Sequence, residues 1–166
     1  YLPLYLRDTG WTGSDADSVA ASFHFASMLL VIPIALGSDR LGSRRTVLLI
    51  TTLMITTGIG LLSIAEGAAV WIAVIMAGVV RDGFMAVFFT TAIETKGVGA
   101  ALAGTATGFT MLFSRFGEVI APPVGNSLAS VSPELPFVFW ACMALVGVMS
   151  IFTIRESQMN TATAAA

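Results

Sequence analysis

The stretch Ala35-Leu36-Gly37-Ser38-Asp39-Arg40-Leu41-Gly42-Ser43-Arg44-Arg45 packs three of the chain's eight Arg and Lys residues into one short turn. A carboxylate closes the apolar run before it, Gly42 supplies the bend, and a basic pair opens the apolar run after it. The runs on either side are free of formal charge, from Ser18 to Ser38 and from Thr46 to Ala65. Each matches the span of about 20 residues that crosses about 30 Å of hydrocarbon as a helix. The segment therefore reads as a polar hairpin between two membrane helices. Asp39 is expected to accept hydrogen bonds at the N-terminus of a neighbouring helix, where the macrodipole favours an anion. Arg40, Arg44 and Arg45 are expected to hold lipid headgroups, to pair with acids on adjacent helix ends, or simply to fix topology.

Outward from this hairpin the pattern repeats. Leu135 to Ile154 is a third charge-free run, and about 68–93 and 99–124 are two more apolar stretches with charges near their middles. Breakers separate them: Gly10 and Gly13, Glu66-Gly67, Lys96-Gly97 and Ser132-Pro133. Short polar loops between long apolar runs make an up-and-down bundle. An apolar stub, residues 1–6, ends at Arg7, and residues 155–166 form a small polar tail. The stub reads as the last turns of a helix whose beginning is missing, so the chain is expected to be a piece of a longer protein.

Composition agrees. Of 166 residues, 56% are hydrophobic and 11% charged, with a mean hydropathy of +0.88; a soluble domain carries about 25% charged residues. A net charge of −2 offers no basic surface for nucleic acid. Cys142 is the sole cysteine, which excludes a disulfide scaffold. With one histidine, and neither H-E-x-x-H nor G-x-S-x-G, no enzyme, metal site or cofactor is expected. The fold class is all-α, a polytopic membrane helix bundle in which the lipid bilayer is the first partner.

Orientation follows the positive charges. Arg40, Arg44, Arg45, Lys96 and Arg155 fall on one side, and only Arg7 on the other, among Asp8, Asp15, Asp17, Glu66 and Glu134. The C-terminus and the Arg40 loop are thus expected in the cytoplasm. Trp11, Trp71 and Trp140 are expected at the outer interface.

Four charges, Arg81, Asp82, Arg115 and Glu118, lie within expected spans. At the insertion cost per residue they total on the order of 10–14 kcal/mol, tolerable only if they pair or face water. At 100° per residue, Gly104, Gly108, Met111, Arg115, Glu118 and Pro122 fall within about 40° either side of one line. Phe109, Phe113 and Phe116 lie opposite, towards lipid. Arg115 and Glu118 can pair at i, i+3, as a cavity group or as an internal staple. Arg81 and Asp82 point about 100° apart, so one is expected in a cavity and the other on a neighbouring helix. His24 is read as a hydrogen-bonded packing residue or, with its near-neutral pKa, a proton-coupling group. Pro33 is expected to bend its span, and Pro122-Pro123 to break theirs near the outer end.

The hairpin closely resembles the G-x-x-x-D-R-x-G-R-R loop of the major facilitator superfamily, found between the second and third helices of each six-helix half. Asp39, Arg40, Gly42, Arg44 and loosely Arg45 match it; Ala35 and Ser43 replace a glycine and an arginine. Gly117-Glu118-Val119-Ile120-Ala121-Pro122-Pro123-Val124-Gly125 resembles the family's G-x-x-x-[GA]-P-x-x-G run in the fifth helix of a half. Pro136-Phe137-Val138-Phe139-Trp140, leading to Arg155-Glu156, is similar to its last helix. The resemblance implies a six-helix half with its first helix truncated: the end of helix seven, then helices eight to twelve, with helices one to six as the rival placement. It also implies a missing N-terminal half as partner and a place in the cell (plasma or inner) membrane.

The implied activity is secondary transport of a small molecule by alternating access. Arg81, Asp82, Arg115, Glu118 and His24 are the candidate binding or coupling residues, and Asp39, Arg40, Gly42, Arg44 and Arg45 form a cytoplasmic gating loop. Arg81 loosely resembles an arginine of the family's fourth helix. A mixed-sign cavity suits an organic anion or zwitterion, with protons coupled through Glu118 or Asp82. A cavity lined by Phe84, Met85 and Phe88 would instead suit amphiphile efflux, and a non-transporting receptor or scaffold is the third possibility.

Overall fold

The computed structural model describes residues 1–95 and 97–153; Lys96, Ile154 and the tail with Arg155 lie outside them. Six α-helices follow in order: α1 (Leu2–Asp8), α2 (Gly13–Leu41), α3 (Arg44–Leu61), α4 (Ala68–Ile93), α5 (Gly99–Ser127) and α6 (Leu135–Ile151), with a 3-10 turn at Leu128–Ser130. Among the described residues there is no strand. The helices overrun the charge-free runs where a cap is available. α2 starts at Gly13 because the Thr12 hydroxyl accepts the Asp15 N–H at 3.1 Å. By length and composition α2 and α4 can each cross a membrane. Of the others, α3 opens on two arginines, α5 carries Arg115 and Glu118, and α6 is apolar but 17 residues long.

The packing centres on α4, which lies against α2 on one side and α3 on the other, while α3 in turn holds α6. In lipid, hydrocarbon burial does not drive helices together, so close backbone approach and hydrogen bonds must. Glycines provide that approach. A Cβ at Gly58 would sit 2.8 Å from the Ala73 carbonyl oxygen, and one at Gly78 2.5 Å from that of Phe23. At Gly83 it would meet the Ile34 side chain at 2.6 Å. Buried hydroxyls in α3 are satisfied locally: Thr51 donates to Val47 O (2.8 Å), Thr52 to Leu48 O (2.7 Å) and Thr56 to Thr52 O (2.8 Å).

The starts of α2, α4 and α6 lie at one end with α1, and there Tyr5, Leu6, Val19, Val70, Val74 and Phe137 form the larger apolar cluster. Trp11 and Trp71, two of the three tryptophans expected to share an interface, pack on it. Tyr1 donates its hydroxyl to Pro133 O at 2.8 Å, and Arg7 grips Asp17 through two bonds of 2.7 and 2.8 Å. The stub is thereby fixed to both α2 and the approach to α6.

α5 is different. It touches α4 and α6 lightly, and Gly125 is its only buried residue among those described. The helix does not break at Pro122-Pro123 as expected but continues to Ser127. Proline removes an N–H and crowds the preceding turn, yet its φ is helical, so a ladder can run past the lost donors.

Candidate functional site

At the hairpin, Gly42 adopts φ +64°, the left-handed conformation that ends α2, and its N–H returns to Ser38 O at 3.2 Å. Ser43 then caps α3, its hydroxyl accepting the Thr46 N–H at 3.2 Å. That explains the serine at a position where the loop pattern has arginine: the helix start needs a cap. With α3 already capped, Asp39 accepts no backbone N–H at a neighbouring helix start among the described residues. It accepts from Arg44 Nη1 at 2.6 Å instead.

Arg44 also reaches across to Glu94, the residue that ends α4, with Nε at 3.0 Å and Nη2 at 2.8 Å. A carboxylate at a helix C-terminus opposes the macrodipole, and the guanidinium offsets it. The hydrogen bond to Glu94 raises the Arg44 pKa, burial works against it, and Asp39 adds to it. Arg45 donates to Phe152 O at 3.2 Å and lies 5.5 Å from the Phe152 ring centre, tying α3 to the end of α6. Arg40 is exposed. Glu94 was not among the candidate residues; its sequence signal is a lone acid at a helix end facing a basic loop.

Deeper in the bundle, Arg81 and Asp82 do not divide between cavity and neighbour as expected. Arg81 Nη1 donates to Asp82 Oδ1 at 2.9 Å. Their Cβ atoms diverge, but the long Arg side chain folds sideways, lying 5.9 Å over the Phe23 ring. The Asp82 N–H is held at 3.0 Å by Ser27 Oγ, a fully buried hydroxyl on α2 that sequence reasoning passed over. His24 is exposed; among the described residues its ring makes no hydrogen bond and meets Phe23 edge-on at 5.3 Å, so the hydrogen-bonded packing role does not hold. Phe84 and Phe88 stack on each other and pack against the cluster of Val47, Leu48, Val87 and Ile151, which draws them away from an open cavity wall.

On α5, Arg115 Nη1 meets Glu118 at 2.5 Å, with side-chain exposures of 75% and 56%. The expected pair forms, and it stays open. Gly104 and Gly108, expected to pack, have nothing within 4 Å of a built Cβ; that work falls to Gly58, Gly78 and Gly83. Phe109, Phe113 and Phe116 are exposed on the other side. The four charges expected within the spans therefore form two separate ionic pairs: one at the α2–α4 seam and one on the open face of α5.

The sequence profile of the Major Facilitator Superfamily matches residues 1–165. The chain belongs to this family. As a major facilitator protein it is integral to a membrane. It is 24% identical over 176 residues to "Quinolone resistance protein NorA" of Staphylococcus aureus (strain Mu50 / ATCC 700699), across 96% of this chain and 41% of the relative. The corresponding protein of strain MRSA252 is 26% identical over 172 residues. "Multidrug resistance protein 1" of Bacillus subtilis (strain 168) is 37% identical over 89 residues, 53% of this chain and 20% of that protein. The major facilitator chain thus spans 41% of the length of the NorA proteins. No solved structure matches it.

Proposed function

We propose that the chain is the second half of a secondary active transporter, working by alternating access against a six-helix partner half. The observation that carries this is the Arg115–Glu118 pair, left 75% and 56% exposed in the length of an otherwise uncharged helix. In a membrane protein, such a pair is tolerable only against water or another polar surface. An open polar face between two helix bundles is where this class of carrier binds its cargo. Arg115, Glu118, Arg81 and Asp82 line the path, with His24 exposed one helix away. The substrate class is a small organic anion or zwitterion, with protons exchanged at Glu118 or Asp82. Asp39, Arg44 and Glu94 act as a latch on the cytoplasmic side, where the C-terminus also lies.

A second reading, export of amphiphilic compounds, is favoured by the resistance named in both groups of relatives. Both readings use the same carrier cycle. The test is flux in membrane vesicles carrying the full-length protein, with expression verified. Arg81→Ala and Glu118→Gln should each abolish transport; unchanged flux in both would remove the site assignment. Absence of transport in the unaltered protein, across charged and amphiphilic compounds alike, would remove the carrier reading.

A further inference from the structure

The Arg81–Asp82 pair does not stand on α4 alone. Phe23 and Ser27 lie one turn apart on α2, and Gly78 and Asp82 one turn apart on α4, so the two helices meet at two successive levels. At the first level a Cβ at Gly78 would stand 2.5 Å from the Phe23 carbonyl oxygen, an approach that glycine permits. At the second, the fully buried Ser27 hydroxyl accepts the Asp82 N–H at 3.0 Å. That amide does not depend on α2 for an acceptor, because the helical ladder offers it the Gly78 carbonyl. The buried hydroxyls of α3, on Thr51, Thr52 and Thr56, close on their own helix, whereas Ser27 receives a donor from its neighbour. The Arg81 guanidinium lies 5.9 Å from the Phe23 ring centre and gives one hydrogen bond, from Nη1 to Asp82 Oδ1 at 2.9 Å. Among the described residues its other N–H groups meet no acceptor, and 48% of the side chain is exposed.

We infer that Phe23 and Ser27 are positioning residues for Arg81: the ring carries the guanidinium, the hydroxyl fixes the Asp82 that steers it, and the open edge of the fork takes a carboxylate of the cargo. A guanidinium binds a carboxylate best as an oriented planar fork. Confining a free arginine side chain to one rotamer costs up to about 2 kcal/mol. Here the ring below and the carboxylate beside it set that rotamer before a ligand arrives, so binding does not bear the cost. Gly78 keeps α2 and α4 in register, so the support travels with the residue it holds. The inference rests on the transport reading and names the group of the cargo that Arg81 meets.

The experiment follows phenylglyoxal modification of Arg81 in the purified full-length protein by mass spectrometry. Benzoate is the probe carboxylate, and Arg44, on the hairpin, is the internal control for folding. Benzoate should protect Arg81 in the unaltered protein. Ser27→Ala should speed modification of Arg81 and raise the half-protecting benzoate concentration, each about fivefold, the contribution of one hydrogen bond. Arg44 should be unchanged. Ser27→Cys, which fills the space with a weak acceptor, should behave as Ser27→Ala does. Phe23→Leu should raise both readings about threefold through the lost ring. In an Asp82→Ala background Ser27→Ala should add nothing, because its effect reaches Arg81 through Asp82, while Phe23→Leu should still act. The inference is overturned if benzoate leaves Arg81 unprotected in the unaltered protein, or if both Ser27 variants leave Arg81 unchanged. It is equally overturned by a Ser27 effect that Arg44 shares in both variants, or one that persists without the Asp82 carboxylate. Protection seen without flux of any compound leaves the Arg81 site standing and ends the transport reading, whereas flux without protection does the reverse.

Discussion

Arg44 joins the first turn of α3 to the residue that caps the C-terminus of α4, gripping Glu94 through two hydrogen bonds while a third reaches Asp39 across the Gly42 bend. One guanidinium thus ties three helix ends together, with 19% of its side chain exposed.

Replacing Arg44 with Ala strands Glu94 at the negative end of α4 and frees Asp39. The expected loss is about 1–3 kcal/mol, the range for a charged hydrogen-bond partner removed from a part-buried site. Arg44→Lys keeps the charge but not the bidentate fork and should recover less than half. Thermal unfolding of the full-length protein in detergent reads both.

Gly78→Ala drives a methyl into the Phe23 backbone, which cannot swing aside as a side chain can. A loss of about 1–3 kcal/mol or more is expected from overpacking. Gly117→Ala, with nothing within 4 Å, should be neutral or stabilise α5 by up to about 1 kcal/mol. If the two variants melted alike, the close α2–α4 contact would be wrong.

Ser43→Ala removes the cap of α3 and should cost about 1 kcal/mol. Ser43→Asp, which can also cap, should retain most of the stability. Hydrogen exchange at Thr46 reports the cap itself, rising in the Ala variant.

The hydrogen bond from Ser132 holds the Glu134 pKa below its ordinary 4.5, with help from the backbone. A lowered folded pKa means this contribution is present above pH 4.5 and fades as pH falls through the folded value. Ser132→Ala should move the Glu134 titration back up, as followed by NMR on isotope-labelled glutamate. An unmoved titration would show that the hydroxyl contact does not form in solution.

Helix positions were legible because charge-free runs and glycine breakers set them, and the Gly42 bend was legible because one residue type fits that backbone. The Arg115–Glu118 pair followed from i, i+3 spacing. What spacing could not give was partnership between helices. Gly58, Gly78 and Gly83 were passed over, and Gly104 and Gly108 chosen, because a helical wheel ranks faces without knowing which face meets a neighbour. Arg81 and Asp82 were separated because the wheel places Cβ atoms, not the end of a long guanidinium chain. Lost donors alone predict a break at the double proline, whereas the helical φ of proline lets α5 run on to Ser127.

The tight seams at Gly58 and Gly78 have a mechanical consequence. With a backbone oxygen of α4 against one glycine, and one of α2 against another, neither α2 nor α3 can slide along α4 without a collision. Those three helices must travel as a single plate. Any displacement that the proposed transport cycle demands of this chain is then left to α5, a loosely seated rod riveted at one end by Phe139.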